Sequence, residues 1–399
     1  MSAREPRGMF LLLAGIASIG PFAIDTYLPA FGSIGRDLGA TPVQVQQTLT
    51  AYLVTFAAMV LLHGALSDAL GRRRVVLWTL ALFAGASLVC AAAQTIEQLW
   101  IGRALQGLVG GAGLVLGRAI ARDLFDAAGA QRLLSQVTMV FALAPAAAPV
   151  IGGWLYVAAG WRSVFVFLAA WAIALWIVCA RRLPETLPKS GRQPMSIGNL
   201  GRGYSSVFRD RAFWLLAGAV ALNFVGFFIY VLSAPVFLMT HLGVSPQAFA
   251  WLFVPAIVGT ISGAWASGRA AGRLSPARTI RWGLLAMMVA AAVNVAISLA
   301  GLGRLPWAIV PLPLYLFGMS FAAPALTLLV LDRFAARRGM ASSCQSFLQS
   351  STNAVAAGVV APLVWGSTLS LAITQLAAVS LAALLLSGGR RAARRPASI

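Results

Sequence analysis

The sequence predicts an all-α integral membrane protein with twelve transmembrane helices in two six-helix halves. Three observations predict it. Of 399 residues, 60% are hydrophobic and only 10% charged, against roughly 25% charged in an average soluble domain. Polar interruptions leave apolar stretches of about 20 residues, the length one helix needs to cross a bilayer. The basic residues collect on alternate interruptions.

Taken in order, the interruptions fall near residues 32–41, 65–73, 94–97, 119–130, 157–161, 182–210, 237–245, 269–279, 301–305, 329–339 and 366–368. The first apolar run, Gly8 to Ala30, is long enough to span, and no small-residue cleavage site follows a short apolar core. A transmembrane helix is therefore expected there rather than a secretory signal. Twenty-six of the 30 basic residues fall on one side, from Arg4 and Arg7 through Arg72–Arg74 to Arg394 and Arg395; the other side has Arg36, Arg162 and Arg304. This is the positive-inside bias, and it puts both termini in the cytoplasm. The net charge of +20 thus reports topology, and no nucleic-acid partner is expected.

The interruption at 182–210 is the longest and is rich in Pro, Gly, Ser and Arg. It divides the chain into an N-terminal half (1–181), a cytoplasmic linker (182–210) and a C-terminal half (211–399). The halves echo each other: 56 residues separate Gly8 from Gly64, and 57 separate Arg211 from Gly268. Both endpoints open an Arg-rich turn between the second and third spans of their half. Two six-helix halves joined by a cytoplasmic linker are the build of one large transporter class.

Asp25 is the only acid inside an apolar span. A carboxylate there is costly unless it is paired, hydrated or protonated, so it marks a functional pathway. Arg103 is the only base inside a span. Asp25 precedes the expected exit of span one at Ala30 by five residues, and Arg103 follows Glu97 by six, so both are expected about 8–9 Å below the outer boundary. Paired directly or through water, each would escape lone burial. A purely structural ion pair between spans one and four is the alternative.

The turn Gly64-Ala-Leu-Ser-Asp68-Ala-Leu-Gly71-Arg72-Arg73-Arg74 combines a close-packing glycine, a turn glycine, and an acid able to pair with the following arginines. In span five, Pro145 and Pro149 are expected to break the helix ladder, and Gly152 and Gly153 to permit close packing. Gly107/Gly111, Gly113/Gly117 and Gly259/Gly263 have GxxxG spacing. Polar or aromatic candidates for a substrate pocket are Tyr27, Gln47, Tyr52, Gln106, Asn223, Phe227 and Tyr230. His63 and His241 have no acid or metal partner in sequence and read as solvated or packing residues. Cys90, Cys179 and Cys344 are odd in number and lack metal-ligand spacing, so neither a disulfide framework nor a metal site is expected. With two scattered His and no G-x-x-x-x-G-K-[ST] loop, a membrane-embedded enzyme and an ATP-driven pump are both disfavoured.

Together these stretches resemble the major facilitator superfamily and, within it, the Bcr/CflA-type drug–proton antiporters. The Gly64–Arg74 turn is similar to the superfamily's signature loop, Arg103-Ala-Leu-Gln106-Gly107 to its span-four signature, and Pro145–Gly153 to the antiporter signature. Asp25-Thr-Tyr27-Leu-Pro29, Arg118-Ala-Ile-Ala-Arg122-Asp123 and Pro184-Glu185-Thr186 are the closer subfamily matches. The resemblance covers essentially the whole chain, although Gly268-Arg-Ala-Ala-Gly272-Arg273 lacks the acid of the first turn. It implies a major facilitator fold and export of small drug-like compounds in exchange for protons. Asp25 is then the proton-linked carboxylate with Arg103 as its partner; Gly64, Asp68, Gly71, Arg72 and Arg73 form a cytoplasmic gate latch; and Pro145, Pro149, Gly152 and Gly153 seal the interface between halves. No cofactor is expected, the drive being the proton gradient. The setting implied is a bacterial inner membrane and a chain working as a monomer. Some multidrug relatives carry a second acid in span one. Its absence here points to neutral or zwitterionic cargo. A proton-coupled metabolite transporter is the alternative.

Overall fold

The computed structural model describes residues 8–192, 197–334 and 338–393. Arg4, Arg7, Arg337, Arg394 and Arg395, which entered the charge count, lie outside them. Every regular element among the described residues is helical. Eleven helices are long and apolar enough to cross a membrane. One of them, Leu143–Arg182, is 40 residues long, about twice what a bilayer requires. It belongs to α7 (Ala127–Arg182), which is interrupted by non-helical backbone at Ala159 and Gly160, the latter at φ 75°. Two crossings on either side of that break make twelve. Large apolar side chains such as Leu11, Trp154, Leu363 and Leu384 are exposed, as a lipid-facing surface requires.

The chain forms two compact units, Met1–Ser196 and Ile197–Ile399. In the first are α1 (Met9–Asp25), α2 (Phe31–Asp37), α3 (Pro42–Leu70), α4 (Arg72–Ala92), α5 (Ile96–Gly110), α6 (Ala112–Leu124) and α7. Local chemistry starts these helices. Thr41 and Gln44 form a reciprocal capping box at α3, with Pro42 in its first turn. Thr95 caps α5 and Asp126 caps α7. Gly71, at φ 99°, turns α3 into α4, a conformation that favours glycine.

The second unit holds α8 (Ile197–Phe208), α9 (Arg211–Leu232), α10 (Ala250–Ala270), α11 (Pro276–Leu299), α12 (Pro311–Asp332), α13 (Arg338–Val355), α14 (Ala361–Val364) and α15 (Thr368–Ala393). Asp210 caps α9 through the N–H groups of Ala212 and Phe213, and Ser275 caps α11. The two units repeat one packing scheme. α3 packs on α5 as α10 does on α12, α4 on α5 as α11 on α12, and α4 on α7 as α11 on α15.

Two expectations about helix breaks are corrected. The helix runs through Pro145 and Pro149 and breaks instead at Ala159–Gly160, because one missing N–H per proline is tolerated when neighbouring helices hold the rod. The first span does not end at Ala30. A 3-10 turn (Leu28–Ala30) leads into α2, and the span continues to Asp37. α1 ends at Asp25, at an interruption inside the membrane.

Candidate functional site

The charged pair expected from sequence is arranged differently in the structure. Arg103 on α5 is fully buried. Its guanidinium carbon lies 4.3 Å from the centroid of the Tyr27 ring and 4.6 Å from that of Tyr52. One nitrogen, Nη1, donates to Gln106 Oε1 at 2.6 Å. Gln106 Nε2 then donates to Ser87 Oγ at 2.7 Å, and Cys90 Sγ lies 3.7 Å from Gln106 Oε1. The Tyr27 and Thr48 hydroxyls are 3.1 Å apart. Two electron-rich ring faces and an amide oxygen thus share the work of stabilising a cation away from water.

Asp25, 4% exposed, makes no hydrogen bond or ion pair with its carboxylate among the described residues. The direct Asp25–Arg103 pair is therefore corrected: the arginine is held by tyrosines, and Nε and Nη2 have no acceptor among the described residues. The depth argument from Ala30 falls with the longer span. What sets Asp25 beside this cluster is Tyr27, two residues on.

Gly152 of α7 packs on the backbone of Thr26, so closely that any side chain there would overlap the Thr26 carbonyl. The small-residue run of span five thus braces the chain one residue past Asp25. Pro149 and Gly153 are buried, and Pro145 half-buried, on the same helix. The GxxxG spacings also bring backbones together, at Gly113 on Ile16, Gly259 on Pro313 and Gly263 on Phe317, whereas Gly117 meets nothing.

At the other end of the first unit, Arg72 gathers three acids. Its side chain reaches Asp68 at 2.5 Å and Asp123 at 3.2 Å. Its backbone N–H donates to Glu185 Oε1 at 2.9 Å. Thr186 Oγ1 donates to Asp123 Oδ2 at 2.9 Å, and Arg73 donates to the Ala180 carbonyl at 2.7 Å. Gly71 is needed here because a Cβ would collide with the Glu185 carboxylate. Gly64 faces Val115 across a looser contact of 3.9 Å. Pro184-Glu185-Thr186 therefore closes over the turn, a contact between stretches more than 100 residues apart.

In the second unit Tyr230 joins a neutral network. Asn294 Nδ2 donates to Tyr230 Oη at 2.7 Å and lies 2.9 Å from Gln375 Oε1. The Tyr315 hydroxyl reaches toward the Asn223 carbonyl at 3.5 Å. Asn223 and Phe227 are buried on α9, and Gln47 is half-buried on α3. His63 is fully buried, so of its two readings packing survives. His241 Nε2 lies 2.7 Å from the Trp365 carbonyl. No group of three or more metal-ligating side chains occurs among the described residues.

The profile of the Major Facilitator Superfamily matches residues 11–357. The chain belongs to that superfamily. It is 34% identical over 365 residues to the MFS-type transporter YdgK of Bacillus subtilis (strain 168), covering 91% of this chain and 90% of the relative. Multidrug resistance protein D of Escherichia coli (strain K12) is 28% identical, with 91% and 90% covered. A bicyclomycin resistance protein homolog of Haemophilus influenzae is 29% identical, with 77% and 78% covered. These relatives bear out the Bcr/CflA-type resemblance. A bacterial homolog of the human lysosomal transporter Spinster, solved inward-facing and unoccupied, superposes with a TM-score of 0.73 at 16% identity, covering 98% of each chain. That likeness shows the fold alone. The protein is a multi-pass superfamily transporter and not an enzyme.

Sequence reading missed several members of the buried clusters: Thr48, Ser87, Asn294, Tyr315 and Gln375. Uncharged polar residues are common enough in membrane helices that none stood out. Their partners, as far as 92 residues away, are visible only after folding. One signal was legible and passed over. Span eleven reads Ser-Ser-Cys-Gln-Ser-Phe-Leu-Gln-Ser-Ser-Thr-Asn from Ser342 to Asn353, and nine of these twelve residues carry a hydroxyl or carboxamide, too many for a helix facing lipid on all sides.

Proposed function

We propose that this superfamily transporter exports small drug-like compounds in exchange for protons, with Asp25 as the proton carrier. The observation that carries the reading is the carboxylate itself. It is the single acid within the apolar part of the spans, it sits where a membrane helix is interrupted, and among the described residues neither a cation nor a hydrogen-bond donor engages it. Ionised, it calls for a counter-charge or water; protonated, it needs neither. A group with those two options is suited to be loaded and unloaded as access alternates between the two faces.

In the proposed cycle, substrate enters from the cytoplasm while Asp25 is ionised, and the chain turns outward. Asp25 then takes a proton and substrate leaves. Return of the protonated chain delivers the proton inward. Arg103, fixed between Tyr27 and Tyr52, is the functional partner of Asp25 in this cycle. The Gly152–Thr26 contact keeps the segment carrying Asp25 tight against α7. One proton moving inward down 100 mV contributes about 2.3 kcal/mol, a concentration bias of about fiftyfold. The proposal places the protein in a bacterial inner membrane with both termini cytoplasmic.

The test is compound-triggered proton release in inverted membrane vesicles, over a panel of phenicols, bicyclic antibiotics, sulfonamides and small metabolites. A compound that dissipates a preset pH gradient with the natural chain and not with Asp25→Asn supports the reading and names the cargo class. Equal responses from both chains would overturn Asp25 as the carrier.

A further inference from the structure

The polar span α13 (Arg338–Val355) has a use that the proton site does not explain. Cys344 joins Phe213, Leu216 and Ile280 in the apolar core of the second unit, with Met340 and Leu348 packed against it. That edge anchors the helix on α9 and α12. Phe347 packs on Phe208 of α8, and nine of the twelve residues from Ser342 to Asn353 carry a hydroxyl or carboxamide. Gln345, Gln349 and Asn353 recur at four-residue intervals, and Ser342 and Ser346 stand beside them. Residues so spaced form one strip along a helix.

Two carbonyl oxygens on this helix are closed off from solvent and unmatched. Gln345 Oε1 and Asn353 Oδ1 have no hydrogen-bond donor among the described residues, nor has Asn223 Oδ1 on α9, against which α13 packs. Gln345 and Asn223 are only 8% and 3% exposed. Leaving a buried acceptor unpaired is costly, and three on two adjoining helices amount to a standing demand for donors. The chemistry of the answer is restricted. No Asp, Glu, Lys or Arg occurs from Gly339 to Gly389, and none from Ala212 to Gly268. Beyond Arg338 at its first residue, which pairs with Asp332, a charged solute would find no counter-charge along α13 or in the interior of α9. A π-helical stretch, Ala356–Val360, follows α13 directly, a deformation often met at functional sites.

We infer that the carboxamide strip of α13, with Asn223, is a binding wall for uncharged solutes that donate hydrogen bonds, such as hydroxylated or amide-bearing compounds. The inference rests on the exporter reading and narrows its cargo. It assigns recognition to Gln345, Asn353 and Asn223 and leaves coupling to Asp25.

The test is binding, read from tryptophan fluorescence of the purified full-length protein in detergent. The probes are chloramphenicol, which is uncharged with two hydroxyls and an amide N–H, and its diacetate, which lacks the hydroxyl donors. The natural chain should prefer the diol by about tenfold or more. Gln345→Met and Asn353→Leu should each weaken diol binding about tenfold while diacetate binding stays within twofold. Gln349→Met serves as a second route should either variant fold poorly. Equal affinity of the natural chain for both probes, no binding of the diol, or a preference that survives in the double variant would overturn the inference. Coupling is read separately in the vesicle assay. Diol selectivity without Asp25-dependent proton release would sink the exporter reading alone; proton release without diol selectivity would sink only this one.

Discussion

Arg103 is held mainly by ring faces, and that determines which substitutions it should notice. The Tyr52 hydroxyl has no partner among the described residues, so its contribution is the π face. Tyr52→Phe should keep proton release within twofold of the natural chain. Tyr52→Leu removes one side of the clamp, a cation–π contact of about 1–2 kcal/mol in a desolvated site, and should lower the rate about tenfold in the vesicle assay. Equal behaviour of the two variants would show that the ring is mere packing. Asp25 and Arg103 were legible in sequence because charge is rare in a membrane span and each stands alone of its sign. Their relation was not. Whether a guanidinium pairs with a carboxylate or settles between tyrosines depends on how side chains from α1, α3 and α5 meet, which hydropathy does not register.

Helices in this protein are started by legible signals and stopped by less legible ones. Thr41-Pro42, Thr95, Asp126, Asp210 and Ser275-Pro276 each announce a beginning through a side-chain oxygen facing free N–H groups. Interior breaks were harder, because a proline inside a membrane rod does not settle whether the rod bends. α7 passes two prolines unbroken and yields at Gly160. The close of the first unit over the Gly64–Arg74 turn offers a test at this scale. Glu185 accepts the N–H of Arg72 at the start of α4 and pairs with Arg192 at 3.6 Å, with about a third of its side chain exposed. Glu185→Ala removes an N-terminal cap whose typical worth is about 1 kcal/mol, and the partly exposed ion pair adds little. The thermal midpoint of the purified protein should fall by a few degrees while proton coupling through Asp25 persists. An unchanged midpoint would mean that the Pro184–Thr186 segment does not secure the turn.

At the scale of the whole chain, the alternation of basic and non-basic interruptions foretold twelve crossings and two similar halves, because burying charge in lipid is forbidden to every segment alike. The repeated pairing of α3·α5 with α10·α12 and of α4·α7 with α11·α15 was beyond such reasoning, since the halves have drifted apart in sequence. Orientation remains the simplest global prediction. The natural cysteines are all buried, so single introduced thiols can be read against a low background. A membrane-impermeant maleimide applied to intact cells should label Arg304→Cys and leave Ser190→Cys unlabelled until the membrane is opened. The reverse pattern would invert the topology.

The uncharged interior of the second unit has a consequence for how such a protein changes over generations. On the reading developed above, the residues that harness the gradient sit in one unit and those that choose the cargo in the other. Substitutions along α13 can then alter what is carried without disturbing what drives it. Populations grown against an unfamiliar compound should accumulate changes between Ser342 and Asn353 long before any at Asp25, and the novelty should come with its engine already running.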